Sequence, residues 1–193
     1  MRTPLVVGIS GASGAIYGIR LLEVLKDHAD VATHLVMSKP AERTIAEETA
    51  WDPAAVRRLA AVVHPLGDIG ASIASGSFLT MGMVIAPCSM RTASAIAYGQ
   101  ADNLLTRAAD VTLKERRKLV LVVRETPLHR GHLKALLEAT ENGALILPPM
   151  PAFYTMPGSV ADIVDHTVAR ILDQLGIVHE LSSRWQGEAG KPV

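Results

Sequence analysis

The chain has 193 residues and a mass of 20.5 kDa, the size of one medium domain, able to bury roughly 70% of its unfolded surface. Nineteen Lys and Arg balance nineteen Asp and Glu, which argues against general nucleic-acid binding, and 49% hydrophobic against 20% charged residues excludes disorder. A mean hydropathy of +0.25 without any run near the ~18 residues of a membrane span implies surface buried between subunits, and one cysteine excludes a disulfide framework and points to a reducing, cytoplasmic compartment.

Leu5-Val6-Val7-Gly8-Ile9 predicts a short buried strand. Arg2 ahead of it admits a signal-peptide reading, but five apolar residues followed by glycines fit a first strand running into a glycine loop better. Ser10 to Gly14 is that loop. A helix is expected over Ala15 to Asp27, with Ile19, Leu22 and Leu25 on one face. Val31 to Met37 is a second strand. Ser38 caps a helix over Lys39 to Thr49, and Asp52-Pro53 opens a third. Met83 to Ala86 is a buried strand ending at Pro87-Cys88-Ser89, followed by helical stretches at about Thr92 to Tyr98 and Asn103 to Glu115. Leu119 to Val123 is a strand, His129 to Glu141 a helix closed by Asn142-Gly143, and Ala144 to Leu147 a last strand. After a proline-rich loop, Ser159 caps a final helix whose Val160, Ile163, Val164, Thr167, Val168, Ile171, Leu172 and Leu175 give the clearest helical period in the chain.

Strands alternating with helices predict an α/β fold, a parallel sheet covered on both faces. One domain is expected over residues 1–178, with a polar tail over 179–193 that leaves the body. In such folds ligands sit at the carboxyl ends of the strands, so the residues just after each strand carry the interest.

Gly8, Gly11, Gly14 and Gly18 do not give G-x-G-x-x-G, and no acid ends the second strand to meet a dinucleotide's ribose. Bare amides and two hydroxyls at a helix N-terminus suit one phosphate, hence a mononucleotide, although a tight turn without ligand would share the pattern. G-x-S-x-G fails too, because Ala12 stands where its last glycine belongs. Ser89 to Thr92 open a second helix as another anion site. Cys88 could be a nucleophile, but no histidine is near in sequence, and a packed loop thiol is the better reading. In 107–134, eight basic residues against three acids leave +5 in a neutral chain, mostly a solvated helix face. Arg124 differs because it ends a buried strand, where arginine suits phosphate, and Glu125 beside it is placed to hold it or a neighbour. Glu47-Glu48 reads as an exposed pair unless one carboxylate turns toward the strand ends and serves as a base. Arg170 edges the last apolar stripe, as a snorkelling side chain or as a cation for an interface pocket. The seven histidines form no metal motif, and no metal is expected in the catalytic machinery.

Several strings taken together carry a resemblance. They are Gly8 to Gly18, His34 to Ser38, Ser75-Gly76-Ser77-Phe78, Pro87-Cys88-Ser89, Leu104 to Val111 continuing to Arg117, Arg124 to His129, and Pro148 to Tyr154. The chain resembles the flavin prenyltransferases, the UbiX family, from Leu5 to about Gly187. The resemblance implies a flavodoxin-like or Rossmann-like three-layer sandwich in a large homo-oligomer, commonly a dodecamer, with sites shared between subunits. It implies transfer of a dimethylallyl group from dimethylallyl monophosphate to reduced FMN, giving prenylated FMN for a separate decarboxylase in ubiquinone synthesis or aromatic-acid decarboxylation. By position, Gly11, Ala12, Ser13, Ser38, Ser89, Met90, Arg91, Thr92 and Arg124 would hold the flavin nucleotide. Tyr154 and Arg170 would hold the prenyl phosphate, with Arg107, Lys114 and Glu125 nearby. Glu48 matches the carboxylate that takes a proton; Ser13 and Tyr154 join it as catalytic candidates. Phe78 falls where an aromatic ring would face the flavin.

Such a reaction fits the inventory. An allylic carbon on phosphate ionises readily when cations hold the leaving group. Arg and Lys neutralise a monophosphate without metal. A base, Glu48 or the departed phosphate, must then remove one proton. Three rivals remain at this point. A flavin-dependent cysteine-type decarboxylase would need a catalytic histidine early in the helix after the second strand, and Lys39 to Thr49 has none. A non-catalytic FMN carrier would need the flavin loops but not the second phosphate set. Direct aromatic-acid decarboxylation lacks an electron sink without the modified flavin.

Overall fold

Six apolar runs form six parallel strands: β1 (Thr3–Ile9), β2 (Val31–Met37), β3 (Val62–His64), β4 (Gly82–Cys88), β5 (Lys118–Val123) and β6 (Ala144–Ile146). The computed structural model describes residues 2–182 and Arg184. The strands pair in the order β3-β2-β1-β4-β5-β6, with Val7 level with Leu35 on one side and Val84 on the other. This is the 3-2-1-4-5-6 order of the Rossmann sheet; without the short edge strand β3 it reads as the flavodoxin-like 2-1-3-4-5. β3 was not predicted. It has three residues, two of them exposed, and offers no alternation to read.

Among the described residues six helices connect the strands, α1 (Ala15–Leu25), α2 (Lys39–Glu48), α3 (Pro53–Arg57), α4 (Met90–Ala97), α5 (Leu104–Lys114) and α6 (Arg130–Glu141), and a seventh, α7 (Val160–Leu175), follows β6. Most begin at a side chain that accepts a backbone N–H: Ser38, Asp52, Ser89, Asn103, His129 and Ser159. Each such cap is worth about 1 kcal/mol. α4 starts two residues before the expected Thr92 because Ser89, not a later residue, is its cap.

Alternate strand residues face opposite ways and build two cores. Leu5, Val7, Ile9, Leu35, Val84 and Val120 pack under α1, α2, α3 and α7. Val6, Val36, Met83, Ile85, Leu119 and Leu121 pack under α4, α5 and α6. Gly18 lets α1 lie directly on β4, since a Cβ there would run into the Ala86 carbonyl oxygen. Arg20 binds Asp165 at 2.7 Å and locks α1 to α7.

After the left-handed Gly176 the chain turns back rather than away. Ile177 is buried, Leu181 packs on the first core, and His179 and Arg184 reach Asp173. Residues 185–193 of the expected tail lie outside the described residues. Met150, Phe153, Tyr154, Met156 and Val160 leave apolar surface exposed around the start of α7. No helix among the described residues is long and apolar enough to cross a membrane.

Candidate active site at the carboxyl edge of the sheet

The strand order turns between β1 and β4, and in doubly wound sheets the ligand crevice opens past the strand ends at that point. Backbone bonds join the neighbouring ends: Ser38 N–H donates to the Ile9 carbonyl at 3.0 Å, Ser10 N–H to Pro87 at 3.1 Å, and Arg124 N–H to Cys88 at 3.1 Å. The buried Ser10 hydroxyl adds a second tie, donating to the Pro87 carbonyl at 2.9 Å and accepting Ser89 N–H at 2.7 Å. In the sequence Ser10 reads only as part of its loop. Its signal was a polar residue directly continuing a buried strand.

Donors for an anion line this edge. Gly14, in the left-handed region at φ 98°, turns the loop into the open N-terminus of α1. Gly11 approaches α2 so closely that a Cβ would meet the Pro40 ring. Ala12 is buried and Ser13 half-buried. Ser38 Oγ accepts Ala41 N–H at 3.2 Å. Ser89 Oγ accepts Thr92 N–H at 3.3 Å and lies 3.1 Å from Thr92 Oγ1, so Met90, Arg91 and Thr92 are the first turn of α4. The Met90 side chain is buried, which leaves its backbone for the crevice. Arg124 is exposed at the end of β5. Helix N-termini, hydroxyls and one arginine at a common edge fit a ligand with one phosphate, such as FMN.

The two acids of α2 part company. Glu47 pairs with Arg43 at 2.7 Å on the solvent side. Glu48 reaches the glycine loop, its Oε2 accepting Gly14 N–H at 2.8 Å. Glu125 does not hold Arg124; its Oε1 accepts the N–H of the adjacent Thr126 at 3.2 Å. Cys88 is fully buried, and desolvation pushes its thiol far above the ordinary cysteine value, which makes it a packed thiol and not a nucleophile.

The second phosphate set does not converge within one chain. Arg107 donates to the Ala74 carbonyl at 3.3 Å and to Asp110 at 2.8 Å, and Lys114 pairs with Glu115. Both lie on α5, over the second core. Tyr154 and Arg170 belong to the opposite layer, the Tyr154 ring 6.0 Å edge-on from His166 of α7. Lys114 also precedes the start of β5 while Arg124 follows its end, and the six residues of that strand span about 20 Å. Lys118 Nζ donates to the Gln174 carbonyl at 2.6 Å, which sets the end of α7 at the same far edge, one turn beyond Arg170. Arg170 borders a surface hollow of about 410 Å³ with Leu145, Pro148, Met150 and His166.

Phe78 packs on the second core, 5.3 Å from the His34 ring, and its carbonyl accepts Arg117 Nη1 at 2.9 Å. His34 Nδ1 lies 2.9 Å from His64 Nε2. Burial lowers both imidazole pKa values; His64 lowers that of His34 further, while Asp68 acts the other way on His64.

A family model described as Flavoprotein matches residues 1–175. The flavin prenyltransferase UbiX of Escherichia coli K12 is 58% identical over 185 residues, 95% of this chain and 98% of that protein. A crystal structure of AnUbiX in complex with FMN and dimethylallyl pyrophosphate superposes with a TM-score of 0.95 at 50% identity, covering 97% of this chain and 99% of that one. A dodecameric FMN-dependent UbiX-like decarboxylase from Escherichia coli O157:H7 gives 0.94 at 51%, covering 96% and 100%. With anion donors gathered at the β1/β4 switch point and this likeness along nearly its whole length, the chain belongs to the UbiX flavin prenyltransferase family of flavoproteins.

Proposed function

We propose that the chain is a flavin prenyltransferase that moves the dimethylallyl group of dimethylallyl monophosphate onto reduced FMN. The observation that carries this reading is the division of its cations. One set of anion donors gathers at the β1/β4 edge, and a second set, Arg107, Lys114 and Arg170, stands apart from it with no evident duty toward flavin. A carrier of FMN needs only the first.

Gly11, Ala12 and Ser13, with Ser38, the first turn of α4 and Arg124, bind and orient the flavin nucleotide. When bound, reduced FMN supplies the nucleophilic ring atoms that accept the prenyl group. Lys114 and Arg170, helped by Arg107 and Tyr154, hold the prenyl phosphate and take up charge as its carbon–oxygen bond breaks. Glu48, already at the glycine loop, takes the late proton. Because α5 and α7 lie on opposite faces of the sheet, the complete site forms from several copies, in line with a dodecamer. The product serves a prenylated-FMN-dependent decarboxylase, and the setting is the cytoplasm.

The test is anaerobic incubation with reduced FMN and dimethylallyl monophosphate, without added metal, followed by mass analysis of the flavin. Gain of one prenyl unit supports the reading. FMN bound and recovered unchanged makes the chain a carrier.

A further inference from the structure

Asp173 lies three residues after Arg170 on α7, with a side chain only 16% exposed. Its Oδ2 accepts Arg170 Nη1 at 2.7 Å. Its Oδ1 accepts Arg184 Nη2 at 2.7 Å and lies 3.2 Å from His179 Nε2. One carboxylate therefore joins α7 to the segment that folds back after Gly176. Burial alone would raise the Asp173 carboxyl, but hydrogen bonds from Arg184 and His179 outweigh it and hold the group below the usual carboxylate range. Two arginines against one carboxylate leave the cluster positive. Among the described residues, the remaining N–H groups of Arg170 make no hydrogen bond.

We propose that Asp173 is the positioning residue for Arg170: it holds the guanidinium by a single N–H and presents the others to the prenyl phosphate, while His179 and Arg184 fix the carboxylate itself. This rests on the reading that Arg170 binds that phosphate. A free arginine side chain must be ordered each time an anion arrives, and a tether to a fixed carboxylate removes part of that ordering. Asparagine cannot substitute. It offers one acceptor oxygen to three donors, and its own NH₂ faces them as a fourth. Glutamate keeps both oxygens and the charge.

The test uses the FMN-loaded protein. Asp173→Asn is expected to raise the KM for dimethylallyl monophosphate about tenfold or more and to lower kcat as well, because Arg170 both holds the phosphate and takes up charge as the bond breaks. FMN affinity should not change. Asp173→Glu should recover most of the loss, and Arg184→Ala should show a smaller rise. In an Arg170→Ala background, Asp173→Asn should add less than about twofold, because the two residues act as one unit. An unchanged KM in Asp173→Asn overturns the proposal. So does a rise of equal size with and without Arg170, which would mean general damage to α7. If wild type forms no prenylated flavin, the function reading falls by itself. Positioning is then decided by inorganic phosphate binding, about tenfold weaker in Asp173→Asn if it holds and unchanged if it does not.

Discussion

Glu48 of α2 accepts the backbone N–H of Gly14, the left-handed residue that opens α1, at 2.8 Å across 34 residues of sequence. The bond brings the carboxylate to the loop expected to receive flavin and away from Glu47, whose partner is Arg43. Glu48→Gln keeps an acceptor for Gly14 and removes only the basicity. FMN affinity should stay within about twofold, and product formation should fall by about a hundredfold, within the usual reach of a positioned general base. Single-turnover prenylation at wild-type rate would remove Glu48 from the proton step.

The purified protein should bind FMN at least about tenfold more tightly than FAD or NAD, a difference of about 1.4 kcal/mol. The physical motive is a crevice with donors for one phosphate and no acid at the end of β2 for a second ribose. Titration by fluorescence quenching decides it, and a tighter FAD would overturn it.

Lys114→Ala and Arg170→Ala should each keep FMN affinity and lose about a hundredfold or more in prenylation, by analogy with removing an oxyanion donor at roughly 2.7–4 kcal/mol. Tyr154→Phe should lose less, since one hydroxyl goes. The two cations sit in opposite layers of one chain, so the variants should complement. Refolding them together in equal amounts should restore about a quarter of the sites, if each site draws Lys114 and Arg170 from different copies. No recovery in mixed assemblies would mean that one copy supplies both.

The His34–His64 pair makes stability depend on pH. Both folded pKa values lie below the ordinary value because burial disfavours the charged rings. Above about pH 6.5 both rings are neutral in folded and unfolded chains, and the pair's contribution is complete. As the pH falls, the unfolded chain takes up protons that the folded one refuses, and stability is lost until the folded values are passed. Tm should therefore drop between pH 7.5 and 5, and the drop should shrink in His34→Phe. An equal drop in that variant would assign the effect elsewhere.

Cys88 should resist alkylation by iodoacetamide in the native protein and react on unfolding, because its thiol is buried and its pKa raised. Cys88→Ala should retain prenylation within about threefold, its cost appearing as lower Tm from the small cavity. Loss of activity with an unchanged Tm would restore the nucleophile reading.

Local patterns told most of the fold. Apolar runs from Leu5 to Ile9 and Leu119 to Val123 read as buried strands, and Ser38, Asp52 and Ser159 mark helix starts because a cap acts within three residues. The anion donors at the sheet edge were legible for the same reason, since they directly follow strands. Other features depended on residues distant in the chain. β3 is an edge strand only because His34–Val36 lies beside it. Glu48 rather than Glu47 turns inward because about 100° of helical rotation separates them and Gly14 offers its N–H on one side alone. The resemblance implied that Arg107, Lys114, Tyr154 and Arg170 serve one phosphate in a site shared between subunits. Tertiary structure divided them between two faces of the sheet, because the crossovers carry α5 and α7 to opposite layers, and no local pattern records which layer a helix joins.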